Sequence, residues 1–436
     1  MKNSFVFDGN ELKEYPDPIY SQNPRGWLHG HGPAGEALNL PLDDDLFSRH
    51  LLFLGGIGTG KTNAIFQLLR QLRSNMTDDD VMVIFDTKGD FYNEFYQSGD
   101  IVFSNDDKST GPSGIDYWNL FNEFVSDDQI EVTVQEIGRS LFNNPEQNKG
   151  SENPFFPNAA RDLFCACVQS LLREGDTEKL NNRYLRDFFD RINAAEIRAL
   201  LQPHEDLKGN ISYISDDRSP QTQGVLSKLH QNVQEIFIGN FQKKGALSIR
   251  EAIRQKGRRV IFIEYNLGIG KVLLPIYRLI IDLAIKEALC REKSKGNVWF
   301  ILDEFRLLPD LEHVDDGVNF GRSLGAKFII GVQNVQQVFH AYGEEMARSI
   351  LSGFSTTIAF RVHDNTTRTY IQDLFGRNRK REVYMATVQS RGVVEEVRDA
   401  NVVEDWDIDN LKIGQAIISL PGMNPFRFMF DRYNPK

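Results

Sequence analysis

The sequence predicts an α/β protein: a mostly parallel, three-layer sheet with an inserted all-α domain. Three observations lead there. Short apolar runs recur along the chain with helical spacing between them, the alternation that gives parallel strands covered by helices on both faces. One such run, Leu51–Leu54, breaks into glycines and then into a helical pattern, in "LLFLGGIGTGKTNAIFQLLRQL". From about residue 120 to 238, helical spacing continues with no convincing strand.

Taken in order, the first fifty residues hold Pro16, Pro18, Pro24 and Pro33 among glycines and charges. Residues 1–45 therefore read as an extended arm or a small strand-rich cap. After the Leu51–Leu54 strand, Ala64, Ile65, Leu68, Leu69 and Leu72 fall on one face of a helix. "VMVIFDTKGDF" (81–91) is a strand that breaks into a charged turn at Asp86, Lys88, Gly89 and Asp90. The helical segments that follow are punctuated by Pro154, Pro157, Pro203 and Pro220 and read as an insertion, residues 119–238. "RRVIFIEYN" (258–266) returns to the sheet, and "LLPIYRLIIDLAIKEALCRE" is a long buried helix. "NVWFILDEF" (297–305), "AKFIIGVQNVQQV" and "STTIAFRVHD" (355–364) supply further strands. The sheet-forming domain is thus discontinuous, residues 46–118 and 239–436.

A chain of 436 residues has room for two or three domains. A net charge of −11 argues against a surface coated in cations for nucleic acid, while leaving room for a local basic lining. Three cysteines, Cys165, Cys167 and Cys290, make no disulfide framework and read as reduced structural residues. No signal peptide opens the chain, and no window approaches the roughly 18–20 apolar residues of a membrane helix. The expected location is the cytoplasm.

Gly55, Gly60, Lys61 and Thr62 match the phosphate-loop pattern Gly-x4-Gly-Lys-Thr, in the strand–loop–helix setting the motif requires. Glycines let the backbone approach an anion closely, and successive N–H groups make a nest for phosphate oxygens. The candidate cradle for ATP is Gly55, Gly56, Ile57, Gly58, Thr59, Gly60, Lys61, Thr62 and Asn63. Lys61 would reach the β- and γ-phosphates, and Thr62 would ligate Mg²⁺. The strand ending in Asp303 and Glu304 is a Walker B pattern. Asp303 would hold Mg²⁺, and Glu304 would polarise the attacking water. Gln333, at the carboxyl end of another strand, is placed to sense the γ-phosphate.

These pieces, in this order, resemble the HerA–FtsK superfamily of ATP-driven translocases, and within it the TraD/TraG-type coupling proteins of type IV secretion and conjugation. The resemblance covers roughly residues 45–430 and rests on "GGIGTGKT", "FDTKGDF", "DYWNLFNE", "NPFFPNAARDLF", "TQGVLSKL", "ILDEFRLLPDL", "NFGRSLGAKFIIGVQNVQQV" and "LKIGQAI". It implies a RecA-like P-loop NTPase carrying an all-α domain, assembled as a homo-hexamer that moves DNA through a central channel. In such rings an arginine from the neighbouring subunit contacts the γ-phosphate; Arg322 matches the family's candidate, with Arg361 and Arg348 as rivals. Implied partners are DNA, a secretion-channel ATPase, and a relaxase or a nuclease. The family usually begins with two membrane helices and this sequence has none, so the resemblance leaves two readings. Either a separate membrane-anchor subunit holds the protein at the inner face of the cell membrane, or it is a free relative, such as a HerA-like motor partnered with a nuclease in repair or phage defence. A third reading is an ATP-gated docking platform that does not pump.

A translocase grips phosphates with cations while reading little sequence. The densest basic cluster is Arg377, Arg379, Lys380 and Arg381, opening a stretch patterned as a hairpin; Lys243 and Lys244 form a second candidate loop.

Overall fold

The computed structural model describes residues 3–125, 129–142, 154–290, 295–385 and 393–435. Sixteen strands run through these described residues. In chain order they are β1 (Asn3–Asp8), β2 (Gly26–His31), β3 (Ala37–Leu42), β4 (Leu51–Leu54), β5 (Val81–Asp86), β6 (Ile101–Phe103), β7 (Thr110–Gly111) and β8 (Gly114–Ile115). Then come β9 (Arg259–Glu264), β10 (Val298–Leu302), β11 (Ala326–Val332), β12 (Thr356–Phe360), β13 (Arg377–Met385), β14 (Val393–Asn401), β15 (Gln415–Ser419) and β16 (Phe426–Phe430). Contacts divide the chain into two compact units: Met1–Ile84, Asn93–Phe95 and Leu289–Lys436 form one, and Phe85–Tyr92 with Tyr96–Ala288 the other.

The first unit is built on a sheet in the order β3-β2-β16-β15-β12-β4-β11-β10-β5. Its centre is parallel, β12, β4, β11 and β10 running together. These strands, "TTIAF", "LLFL", "AKFIIGV" and "VWFIL", are buried along their whole lengths, as continuous apolar runs must be when helices cover both faces. The register sets their ends level. Leu54 lies opposite Val332 and Ala359, and Leu302 opposite Ile330. The loops leaving β4, β10 and β11 therefore emerge on one edge. The helix Lys61–Asn75 follows β4 and buries Ala64, Ile65, Leu68, Leu69 and Leu72, the face its spacing specifies.

Residues 3–45 contain β1, β2 and β3. β2 and β3 form a hairpin that extends the same sheet through β16. β2 alternates buried and half-buried positions, which suits an antiparallel flank. β1 instead joins β13 and β14 in a separate three-stranded antiparallel sheet. The hairpin expected there is present as β13 paired with β14; its connecting residues 386–392 lie outside the described residues.

Within the second unit, β6 runs parallel to β9, and β7 and β8 continue antiparallel. No strand occurs between residues 119 and 238 among the described residues. The helices there start where local chemistry caps them. Asn181 accepts from the Tyr184 N–H, Asn193 and Glu196 form a reciprocal capping box, and Ser219 caps a helix whose first residue is Pro220. Phe155–Glu174 is buried on most sides, so Cys165 and Cys167 both sit in the core although they point apart, and burial raises both thiols. No helix among the described residues is long and apolar enough to cross a membrane.

Candidate active site

The loop after β4 hangs from the ends of two neighbouring strands. The Gly55 N–H donates to the Val332 carbonyl at 3.1 Å and the Gly56 N–H to the Arg361 carbonyl at 3.0 Å. Thr59 Oγ1 closes the loop by donating to the Gly56 carbonyl at 2.8 Å. Gly58 and Gly60 take left-handed backbone angles, φ 74° and 112°, that side chains with a Cβ resist. Ile57 stands 88% exposed at the tip. The helix then begins at Lys61 with no side-chain cap and no acidic residue in its first turn, so its N–H groups and dipole face an anion without competition.

Across from this loop, Asp303 follows β10. Lys61 Nζ lies 2.5 Å from Asp303 Oδ1, and Thr62 Oγ1 donates to Asp303 Oδ2 at 2.7 Å. Gln333, just past β11, donates its side-chain amide to Glu304 Oε1. Lys61, Asp303 and Glu304 are all buried. Glu304 Oε2 is buried with no hydrogen-bond donor, the Arg306 guanidinium standing 3.5 Å away. Three segments remote in sequence thus converge, as their motifs require. The set fits a nucleoside triphosphate and its metal. Lys61 and Thr62 here satisfy each other's natural counter-group, Asp303, and each contact is a side-chain contact that phosphate oxygens and a divalent cation can replace.

Asn63 is turned aside. Its amide donates to the Asp431 carbonyl at 2.9 Å and its oxygen accepts the Tyr433 N–H at 2.7 Å, so it anchors the C-terminal segment. Arg322 is not brought to the cleft within its own chain; its guanidinium pairs with Asp45 at 2.7 Å, both half-exposed. Arg348 pairs with Glu344 at 2.8 Å, and Arg361 touches the loop through its carbonyl. In the basic cluster, Arg379 pairs with Asp399 at 3.4 Å, Lys380 with Glu404 at 3.4 Å, and Arg381 with Glu395. Lys244 pairs with Glu178 at 3.1 Å, and Lys243 lies over the Tyr117 ring.

One residue escaped the motif reading. Gly331 lies inside β11 where an added Cβ would fall 2.4 Å from Asp303 Oδ1 and from the Asp303 carbonyl. The Asp303 side chain crosses this glycine to reach Lys61. A lone glycine inside the apolar run "AKFIIGV" was the available signal, because such a glycine marks a close approach.

The fold and this cleft define the RecA-like class of P-loop α/β proteins. A family profile described as the type IV secretion-system coupling protein DNA-binding domain matches residues 36–428, and the chain belongs to that family. It is 22% identical over 406 residues to the coupling protein TraD of Escherichia coli (strain K12), covering 89% of this chain and 53% of TraD. It is 22% identical over 250 residues to VirD4 of Rhizobium rhizogenes, covering 53% of this chain and 35% of that protein. The chain therefore spans about half the length of the first relative and about a third of the second. Among solved structures, it resembles the unbound bacterial conjugative coupling protein TrwBΔN70, with TM-score 0.74, 21% identity and 91% and 88% of the two chains covered. TrwB in complex with the ATP analogue ADPNP gives TM-score 0.70 at 21% identity, again covering 91% and 88% of the two chains. VirB4 of Thermoanaerobacter pseudethanolicus gives 0.60 at 12% identity, covering 96% and 99%. At these identities the structural likenesses speak for the fold.

Proposed function

We propose that the protein is an ATP-hydrolysing motor that acts as a homo-hexamer to move DNA, or a protein–DNA substrate, in type IV secretion or conjugative transfer. The observation that carries this reading is the convergence of Lys61, Thr62 and Asp303 beside the Glu304–Gln333 pair. Thr62 and Asp303 are the residues that would hold Mg²⁺, which supplies charge neutralisation at the phosphate oxygens. Lys61 and the amides of residues 57–62 bind and orient the phosphates, while the Gly55 and Gly56 amides hold the loop to its neighbouring strands. Glu304 holds the attacking water and accepts its proton, and Gln333 fixes the Glu304 carboxylate and senses the terminal phosphate. Arg322 faces solvent and is free to act on a neighbouring subunit's nucleotide once its Asp45 pair is exchanged. In this reading the nucleotide-binding domain comprises residues 46–118 and 239–436, and the helical stretch 119–238 is a surface for substrates. DNA, a membrane-anchor subunit, a secretion-channel ATPase and a relaxase are the partners it calls for.

The test measures ATP turnover and displacement of a DNA-bound roadblock together. Lys61→Ala should abolish both, and Glu304→Gln should retain bound ATP without turnover. Unchanged turnover in both variants defeats the site assignment; turnover without displacement favours a docking platform. Mixing Arg322→Ala with Lys61→Ala subunits should restore part of the activity if Arg322 acts across subunits.

A further inference from the structure

The carboxyl ends of three neighbouring strands, β5, β9 and β6, run out at a cavity of about 390 Å³, the kind of place where open parallel sheets bind ligands. Asp86 closes β5, Glu264 closes β9, and Asp106 and Lys108 lie on the turn after β6. We propose that this cavity receives the guanidinium of an arginine carried by a partner protein, with the unpaired oxygen of Glu264 as its acceptor and Leu267 as its apolar rim.

The acceptor is in place and unused. Glu264 is only 7% exposed. Its Oε2 accepts from Lys108 Nζ at 3.1 Å, and its Oε1 is buried with no donor among the described residues. Leaving a buried carboxylate oxygen unpaired is costly, so a group that donates to it removes that cost. The charge balance calls for a cation as well. Three acids, Glu264, Asp106 and Asp86, stand around one ammonium, Lys108; burial pulls that ammonium down, and the three acids outweigh it and raise it. With no second cation paired to it, Glu264 keeps a proton: burial, and then the Asp86 charge, push its carboxyl up to about 7.

The kind of cation follows from what the acids have left to give. Asp86 spends both oxygens on backbone N–H groups, and Asp106 Oδ1 accepts the Ser104 hydroxyl at 2.7 Å and the Lys108 N–H at 2.9 Å. No group of three or more His, Cys, Asp or Glu side chains that could hold a metal ion occurs among the described residues. A guanidinium needs no such cage. It is planar, donates through several N–H groups and is more weakly hydrated than an ammonium, which suits a carboxylate this deeply buried. The rim asks for more than a free ion. Leu267 lines the cavity yet is 63% exposed, and Ile269 and Val272, on the turn into the helix Gly270–Ala288, are exposed too. That apolar edge suits the aliphatic stem of an arginine and the residues beside it in a protein.

The experiment follows the Ile269 methyl resonance of the full chain while a blocked tripeptide, acetyl-Leu-Arg-Leu-amide, is titrated in; the lysine counterpart and methylguanidinium are the comparison probes. The arginine peptide should shift the signal saturably and bind about tenfold more tightly at pH 8 than at pH 6, because Glu264 gives up its proton to receive the cation. The charged and titratable groups facing Glu264 are Asp86, Asp106, Lys108, Tyr92 and Tyr277, with Lys88 exposed at the rim. Glu264→Gln separates its titration from theirs: the variant should bind the peptide about tenfold more weakly at pH 8 and show no pH dependence. Leu267→Ala should weaken the peptide and leave methylguanidinium unchanged. A signal that neither the peptide nor methylguanidinium moves, or equal binding by Glu264→Gln, overturns the site. A lysine peptide that binds as well as the arginine one overturns the choice of guanidinium. Methylguanidinium bound as tightly as the peptide, with no effect of Leu267→Ala, overturns the partner protein as its source.

Discussion

Asp303 and Asp86 look alike in sequence: each closes a fully apolar strand, and each is buried. Their partners differ in kind. Asp303 is held by two side chains, the Lys61 ammonium and the Thr62 hydroxyl. Asp86 accepts three backbone N–H groups, from Lys88 at 3.2 Å, Gly89 at 2.9 Å and Tyr92 at 2.8 Å. Side-chain partners can swing away and be exchanged for phosphate and metal. Amides of a turn cannot leave without unmaking the turn. In the function proposed above the first carboxylate exchanges ligands, while the second holds "DTKGD" in shape. Around Asp86, in the second unit, lies a cavity of about 390 Å³ lined by Thr87, Lys88, Lys108 and Glu264. Glu264 pairs with Lys108 at 3.1 Å through one oxygen and leaves the other buried without a donor. Burial, aided by the Asp86 charge, pushes the Glu264 carboxyl up to about 7.

The contrast can be broken most sharply at Asp303. Asp303→Asn should lower steady-state ATP turnover by about 10²–10³-fold, with an unfolding midpoint close to wild type; a folded variant with full turnover would erase the difference between the two carboxylates. Next in size is Glu264. The folded protein keeps its proton up to about 7 against an ordinary 4.5, while the unfolded chain has lost it, so stability falls as pH rises across that window. Glu264→Gln should remove that slope, worth up to about 3 kcal/mol between the two ends, as read by denaturant unfolding at a series of pH values. An equally steep slope in the variant would place its origin elsewhere. Asp86→Asn should cost about 1–3 kcal/mol of stability, measured in the same denaturant series, while a folded fraction continues to turn over ATP. The smallest effect is expected at Gly331→Ala. Pressing on the Asp303 carbonyl and Cα as well as its carboxylate, the new Cβ should raise the Mg²⁺ needed for half-maximal turnover about tenfold, and an unshifted Mg²⁺ curve would show that Asp303 does not need the space.

Some of this was legible before any coordinates. The central strands were readable because both of their faces are covered, which forces continuous apolar runs that no loop carries. The helix after the loop was readable from the spacing of Ala64, Ile65, Leu68, Leu69 and Leu72. Residues 26–42 were not, since an alternating hairpin among prolines and glycines looks like a free arm until β16 supplies its partner. Arg377, Arg379, Lys380 and Arg381 read either as a grip on phosphates or as a solvated surface, and in the structure Arg379, Lys380 and Arg381 pair with Asp399, Glu404 and Glu395. Which acid meets which base there depends on strand register and on a later turn, and composition does not encode either.

By itself, then, the chain's order of residues determined the phosphate loop. Residues 55–62 carry the glycines and the Lys-Thr pair of the pattern, and the left-handed angles at Gly58 and Gly60 follow from backbone chemistry that only glycine meets freely. Tertiary structure alone decided that Gly331 must be empty, that Gly414 leans on Gly60, and that Arg322 spends this state on Asp45. Those facts arise where segments separated in sequence pack against one another, and only the assembled fold brings them together.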